Sequence, residues 1–292
     1  MTSYSLVEHL AQAVWFSKWR EGYVAGFTGY FDASGDDTCK DTMVVSVAGF
    51  LAPADVWTDI ETKWIERTAR AGIHKFHMVE CANCTGEFAG WHERENDRQR
   101  LLQDLVKLMV PLTRKFSCAI PLRLYRETLS AEYANEPLYK AYALAGRWCA
   151  GRVRQWVWQE KSPPLHRIGF YYEHGDKWQN ELADQMVGDD LPEPNFKPKW
   201  DVIKNGELIE KGLIPFQLAD VLTYLTFQRY KSKLKQMKDW GKMEPIRWML
   251  EEIDAHVRGP LDYVTVQNIE GLNILIRASS HDLLKEGTAN DA

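Results

Sequence analysis

The spacing of apolar positions changes along the chain, and each spacing predicts a type of element. Segments 23–34 and 43–52 are rich in β-branched and aromatic residues and flank the polar turn GDDTCKD, which predicts a β-hairpin. Segment 53–72 opens with Pro53, carries apolar residues at helical intervals and closes at Gly72. This pattern predicts a helix with both ends marked.

Strand and helix patterns then take turns along the chain. The predicted helices are 94–114, 138–160, 178–188, 214–234 and 245–257, the predicted strands are 116–125, 166–176 and 199–209, and 74–81 is a short strand or loop. Segment 188–200 contains three prolines and predicts a long loop that could cover or line a cleft. A hairpin followed by such alternation predicts an α/β fold, with a mixed sheet and helices on its faces.

Length and composition fit one large domain with additions. The chain has 292 residues, of which 45% are hydrophobic. We expect residues 1–23 to form an N-terminal helical extension, 24–242 the main domain, and 243–292 a C-terminal helix and tail that pack on it. No apolar run reaches the roughly 18 residues of a membrane span, and the first residues lack a signal-peptide pattern. Five cysteines, an odd number, do not suggest a disulfide framework. These features predict a cytoplasmic protein without a membrane partner.

Charge is uneven along the chain. The formal net charge of −5 gives no global attraction for a polyanion. Segment 228–242 is nevertheless basic and contains Arg229, Lys231, Lys233 and Lys235, with Tyr230 and Trp240 among them. It predicts either a solvated helix face or a surface that binds a nucleic-acid backbone, with Tyr230 or Trp240 stacking on a base.

Three acidic residues interrupt apolar patterns at the ends of predicted elements. Asp32 follows the apolar run of the first strand, Glu173 ends the run IGFYYE, and Asp220 lies in an otherwise apolar helix. An ionised carboxylate is costly to bury unless something pairs with it. If the three acids converge, bound Mg²⁺ or Mn²⁺ would relieve their repulsion, because these ions prefer oxygen ligands. Two such ions can promote phosphodiester hydrolysis.

Each acid also has an ordinary structural explanation. Asp32 could form a turn with the backbone amides that follow it, and Asp220 could be a helix acid that faces solvent. Spacing alone does not choose between these roles and metal binding.

The motifs YFDASGD, FHMVEC, FYYEHGD and PFQLADVLTY together resemble the bacterial and phage-borne family labelled domain of unknown function 3800. The similarity spans about residues 28–230. It implies a fold like that of ribonuclease H and retroviral integrases, and a metal-dependent nuclease, in a phage-defence or mobile-element setting. By this resemblance Asp32, Glu173 and Asp220 are the metal-binding catalytic acids, in the order strand, strand, helix.

The resemblance also points to supporting residues and to one departure. His77 and Glu80 match a family pattern in which an acid follows a histidine by three residues, so His77 could orient substrate or move a proton and Glu80 could be a fourth ligand. Ser34, Asp36 and Gln217 are expected to support the acids from the surrounding shell. Where the family often has Glu after the first acid, this chain has Ala33, and Asp36 or Asp37 could compensate.

The third motif overlaps a possible zinc site. His74, His77, Cys81 and Cys84 have the chemistry of zinc ligands, but their spacing is closer than that of the usual two ligand pairs. Small packing residues beside a turn are the simpler interpretation of the two cysteines.

The favoured hypothesis from the sequence is therefore a nuclease that uses Mg²⁺ or Mn²⁺. A ribonuclease-H-like binding module that has lost its metal competence is the main alternative, and a metal hydrolase of small phosphate esters is a third. The sequence has no phosphate-binding GxxxxGK[ST] loop and no GxSxG nucleophile motif.

Overall fold

The computed structural model describes residues 26–35, 42–129, 140–160, 167–189, 191–234 and 244–263. Among these residues, no helix combines the length and the apolar character needed to cross a membrane. The predicted N-terminal extension 1–23 and most of the predicted C-terminal tail lie outside the described residues.

A mixed six-stranded sheet forms the centre of the protein. Its strands are β1 Phe27–Ser34, β2 Val44–Pro53, β3 Arg114–Pro121, β4 Ile168–Glu173, β5 Asn195–Lys197 and β8 Leu261–Tyr263. They lie in the order β5-β4-β1-β2-β3-β8. Neighbours β1, β2 and β3 are antiparallel, whereas β4 runs parallel to β1, β5 parallel to β4, and β8 parallel to β3. A separate antiparallel hairpin consists of β6 Val202–Lys204 and β7 Glu207–Glu210.

Helices cover both faces of this sheet, which confirms the predicted α/β class. The helices are α1 Ala54–Arg70, α2 Met78–Asn83, α3 Glu95–Met109, α4 Leu122–Thr128, α5 Ala141–Glu160, α6 Gln179–Gly188, α7 Pro215–Leu234 and α8 Glu244–His256. Successive strand residues point to opposite faces. Tyr30 therefore joins the core beneath α1, α3, α7 and α8, and Phe31 joins the core beneath α5 and α6.

Several predicted elements are wrong in type or extent. The short strand or loop predicted over 74–81 is a loop only up to residue 77, and helix α2 begins at Met78; the predicted strand 116–125 ends at Pro121, and α4 begins at Leu122. Segment 199–209 is a hairpin rather than one strand, because Asn205 and Gly206 turn the chain with φ of 54° and 83°. Positive φ at both turn residues is typical of the two-residue turns that close β-hairpins.

Two short strands were also missed. The predicted proline-rich loop contains β5, and the weakly patterned C-terminal segment contributes β8 to the edge of the sheet. Both have three residues, too few to show an alternating pattern.

Candidate functional site

Strand pairing places Asp32 and Glu173 side by side. Tyr30 on β1 is opposite Tyr171 on β4 in the parallel ladder, and their rings stack with centroids 5.2 Å apart. Asp32 and Glu173 each lie two residues further along, so both carboxyl groups point to the same face of the sheet. That is the face on which α7 packs.

Helix α7 brings the third acid to this point. Its Thr223 Oγ1 lies 3.1 Å from the backbone carbonyl oxygen of Asp32 and 3.2 Å from that of Ala48, which places the helix against β1 and β2. Asp220, one turn earlier, is only 7% exposed. The alternative in which Asp220 faces solvent is therefore wrong.

The three acids meet around a residue that the sequence did not single out. Lys199 lies between β5 and β6, and its side chain is 5% exposed. Its Nζ is 2.8 Å from Asp32 Oδ2, 2.8 Å from Glu173 Oε2 and 3.7 Å from Asp220 Oδ1. The ammonium group thus lies at the centre of the acidic cluster formed by Asp32, Glu173 and Asp220.

Backbone amides hold the remaining oxygens of two of these acids. Ala33 N donates to Asp32 Oδ1 over 2.7 Å, which is part of the turn-like role considered for Asp32. Met78 N, in the first turn of α2, donates to Asp220 Oδ2 over 2.6 Å. Both carboxylates are therefore fixed in orientation before any ligand binds.

His77 connects the acidic cluster to Glu80. The Nε2 atom of His77 is 3.7 Å from Asp220 Oδ1, and its Nδ1 atom is 3.8 Å from Glu80 Oε1. Glu80 therefore lies on the far side of the imidazole from the acids. The ring of Trp200 meets the imidazole edge-on, with centroids 6.4 Å apart.

Burial and charge change the protonation of the cluster. Burial raises the pKa of Glu173 to about 9, and the hydrogen bond and negative charge of Asp32 add to this effect, while Lys199 opposes it. Burial also raises the pKa of Asp220 to about 6, against the lowering effect of Lys199. Burial disfavours the charge of Lys199, but the three carboxylates outweigh it and hold its pKa above the ordinary value. The surroundings therefore favour the charged form of Lys199 and the protonated form of Glu173.

The cluster lies at one end of an open cleft of about 530 Å³. Its walls contain Glu173, Lys199, Asp220 and His77 at the acidic end, and further side chains from α2 and α7. The latter residues are Val79, Asn83, Tyr224, Phe227, Gln228 and Lys231. Two of the three acids, Glu173 and Asp220, thus line the cleft, whereas Asp32 is 3% exposed and does not.

The expected supporting residues have different positions. Ser34 lines the cleft beside the acids. Gln217 is buried one turn before Asp220, and its Oε1 accepts a hydrogen bond of 2.9 Å from Trp64 Nε1, which ties α7 to α1. Asp36 and Asp37 lie outside the described residues.

The basic residues of segment 228–234, the described part of the basic segment, do not share one face toward the cleft. Lys231 lines the cleft, whereas Arg229 Nη1 is 3.6 Å from Asp254 Oδ2 on α8. Lys233 Nζ lies 4.9 Å from the ring centre of Tyr230. Tyr230 is buried and its hydroxyl donates to the carbonyl of Leu261, so the proposed stacking of Tyr230 on a base is wrong. Lys235 and Trp240 lie outside the described residues.

The four residues of the possible zinc site have separate surroundings. His77 faces Asp220, Cys81 is buried in the core, Cys84 Sγ is 3.4 Å from Arg98 Nη1, and the backbone N of His74 donates to Glu87. Within the described part of the chain, no group of three His, Cys, Asp or Glu side chains has the arrangement of a metal site as it stands. In the acidic cluster the centre is taken by Lys199.

The sequence carries little signal for the role of Lys199. It lies in the proline-rich segment FKPKW, outside any periodic pattern, and reaches the acids only because β5 pairs with β4. The sequence did predict that this proline-rich segment could line a cleft, and Lys199 does line the cleft.

Comparisons of the chain with models of protein families, with curated proteins and with solved structures find no match.

Proposed function

We propose that the protein is a phosphodiester hydrolase that depends on a divalent cation and acts on nucleic acid. The observation that carries this proposal is the convergence of three carboxylates, from two adjacent strands and a helix, on one cationic position. That position borders a cleft large enough for part of a polynucleotide.

The chemistry of the cluster suits Mg²⁺ or Mn²⁺. Asp32, Glu173 and Asp220 offer carboxylate oxygens, the ligands that these ions prefer, and Lys199 shows that the cluster accommodates positive charge. When bound, such ions lower the pKa of water and stabilise charge on phosphate oxygens. For an ion to take the central position, the Lys199 ammonium must leave it.

The residues of the cleft would have distinct tasks. Asp32, Glu173 and Asp220 would hold the ion. His77 borders the cleft beside Asp220 and is placed to orient a phosphate or to move a proton at its imidazole. Lys231, on α7, would bind the phosphodiester backbone as a positive charge.

The position of the acids supports the ribonuclease-H-like interpretation. They lie on the central strand β1, on its parallel neighbour β4 and on a helix that crosses them, which is the strand, strand, helix order implied by the resemblance. The mixed sheet with helices on both faces is compatible with it as well. The resemblance to domain of unknown function 3800 remains part of this proposal.

Substitution of the acids tests the proposal. Asp32→Asn and Asp220→Asn should each lower Mn²⁺-supported cleavage of DNA or RNA about 100-fold or more, since the loss of outer-shell partners alone costs about 10- to 100-fold at metal sites. Asp184→Asn, an exposed carboxyl on α6, is the matched control and should cleave normally. Melting temperatures would verify that each variant is folded. Cleavage that persists in both folded cluster variants would reject the assignment.

A second function is favoured by one specific observation. The Lys199 ammonium already occupies the centre of the acidic cluster, as expected of a module that binds nucleic acid without hydrolysing it, and Ala33 supplies no further carboxyl group. Calorimetry with Mn²⁺ separates the two functions. A heat signal from site-specific Mn²⁺ binding that is present in the wild type and lost in Asp32→Asn supports the hydrolase. If the wild type gives no such heat signal, the binding module is supported.

A further inference from the structure

The position of Lys199 has a consequence for cation binding that the acids alone do not show. Its Nζ contacts Asp32 Oδ2 and Glu173 Oε2 at 2.8 Å each, so it uses the same oxygens that a bound cation would need. The side chain is 5% exposed, which shows that the ammonium is set into the cluster rather than lying over it.

A divalent ion and this ammonium cannot share the centre of the cluster. Mg²⁺ binds its oxygen ligands at about 2.0–2.1 Å. An ion held by one oxygen from each acid would lie within a few ångströms of Nζ, where the two cations repel strongly. The ammonium would also occupy space that the ion needs for water or phosphate ligands.

The backbone around Lys199 is fixed, so the exchange must involve its side chain. Leu213 N donates to the carbonyl of Pro198 over 3.0 Å, and Gly212 N donates to Asp201 Oδ1 over 2.8 Å. A Cβ at Gly212 would lie 2.5 Å from the carbonyl oxygen of Lys199, which shows how closely the two chain segments approach. The lysine side chain, by contrast, is a flexible four-carbon stem.

The cleft gives the displaced ammonium a place to go. Lys199 lines the cleft, so its side chain can leave the acids without passing through the core. In the acid-bound position Nζ already lies 5.8 Å from the centre of the Trp200 ring, so this cation–π contact does not depend on all three acids and could be kept as the ammonium moves outward.

We propose that Lys199 is an internal competitor of the divalent cation: its ammonium holds the three acidic side chains in the free protein, and the cation binds by expelling it. This inference rests on the cation site of the proposed function. Since only the fraction of molecules with the ammonium withdrawn can bind, the apparent affinity for the cation is reduced by that fraction. The free protein is thereby kept inactive at low cation concentration.

The first test compares Mn²⁺ affinities by calorimetry in the wild type and two matched variants. Lys199→Met removes the competing charge and should bind Mn²⁺ at least about tenfold more tightly, as expected when the competent state is a minor one. Lys197→Met is the control, because Lys197 lies two residues earlier and pairs with Glu210 instead of the acids, at 2.9 Å. It should bind Mn²⁺ as the wild type does.

The second test uses the wild-type protein and so does not depend on a variant that folds. An amine-reactive label, located by mass spectrometry, should modify Lys199 slowly in the presence of a chelator and faster at saturating Mn²⁺. Lys197, whose side chain is 34% exposed, should be labelled at the same rate in both conditions.

The outcomes separate this inference from the proposed function. If Lys199→Met binds Mn²⁺ no more tightly than the wild type, or if Lys199 stays protected at saturating Mn²⁺, the competition is disproved while the hydrolase stands. If affinity and labelling change as expected but no nucleic acid is cleaved, the hydrolase is disproved and the competition stands. If neither protein binds Mn²⁺, both are wrong. If Lys199→Met fails to fold without the cation, its refolding on addition of Mn²⁺ supports the inference. If it does not refold, the labelling experiment on the wild type decides.

Discussion

Asp32, Glu173 and Asp220 hold three carboxyl groups within reach of one ammonium nitrogen. Two unit charges about 4 Å apart repel by roughly 4 kcal/mol at an effective dielectric constant near 20, so three ionised carboxylates require compensation. Two kinds of compensation are present. Lys199 contributes a positive charge, and burial raises the pKa of Glu173, which favours its uncharged form.

This protonation predicts how stability depends on pH in the cation-free protein. A carboxyl whose pKa is higher in the folded than in the unfolded state binds more protons when folded, so stability falls as pH rises between the two values. For Glu173 this interval runs from the ordinary value of 4.5 to about 9, and for Asp220 from 3.8 to about 6. Between pH 6 and 9 the decline should come mainly from Glu173.

Glu173→Gln should flatten this decline, because the amide resembles the protonated acid. We expect the variant to gain about 1–3 kcal/mol in free energy of unfolding relative to the wild type between pH 6 and 9, given about 1.4 kcal/mol per unit of pKa shift. Urea denaturation in the presence of a chelator, at several pH values, measures this difference. Glu207→Gln, an exposed carboxyl on β7, is the control and should follow the wild-type profile. Parallel profiles for Glu173→Gln and wild type would contradict the raised pKa.

Residues of the site differed in how well the sequence revealed them. The acids could be found because each interrupts an apolar run, and a buried carboxyl in such a run needs a reason. Lys199 could not be found in this way, because a lysine in a loop is ordinary and its partners are distant in the chain. Strand pairing determines which residues share a site, and the local pattern of apolar and polar residues does not predict which strands pair.

At the scale of elements, the contact of α7 with the sheet positions Asp220. Every residue from Pro215 to Thr226 is buried, so this part of α7 lacks the polar face of a surface helix. Thr223 is the polar contact at the centre of this packing. Its hydroxyl lies near the backbone carbonyl oxygens of Asp32, Ala48 and Ala219, and it can donate to one of them at a time.

Thr223→Val should therefore destabilise the protein more than the same change one turn later. Removal of the Thr223 hydroxyl should lower the free energy of unfolding by about 0.5–1.5 kcal/mol, the usual net contribution of an intramolecular hydrogen bond. Thr226 is the matched control, because its Oγ1 is buried and has no hydrogen-bond partner among the described residues. Thr226→Val should be neutral or stabilising. Equal losses in the two variants, measured by urea denaturation, would show that Thr223 contributes no net hydrogen bond.

Elements with a long periodic pattern of apolar residues could be predicted from the sequence. Short elements, whose structure depends on tertiary packing, could not. The long helices α1, α3, α5 and α7 and the strands β1 and β2 were predicted because their periodicity extends over many residues. Helix α2 was missed because it has six residues, fewer than two full turns. Its position matters for the site, since its first amide binds Asp220.

At the scale of the whole molecule, the net charge of −5 opposes the approach of a polyanion. Binding of nucleic acid therefore requires local positive charge at the cleft. Of the basic residues of this segment that the structure describes, only Lys231 lines the cleft, because residues two apart on a helix point in different directions. Lys231 lines the cleft, while Arg229 pairs with Asp254 and Lys233 lies over Tyr230.

Lys231→Gln should consequently weaken nucleic-acid binding in a way that Lys233→Gln does not. If Lys231 contacts one phosphate, its loss should reduce the slope of log affinity against log salt by about 1. Fluorescence anisotropy with labelled DNA and RNA oligonucleotides measures this slope, in the presence of a chelator that prevents cleavage. Lys233→Gln, the same substitution two residues along α7, should keep the wild-type slope because its side chain does not line the cleft. Equal slopes for wild type and Lys231→Gln would show that the nucleic-acid backbone does not contact the α7 wall of the cleft. A slope lowered only by Lys233→Gln would place the nucleic-acid backbone on the opposite side of α7.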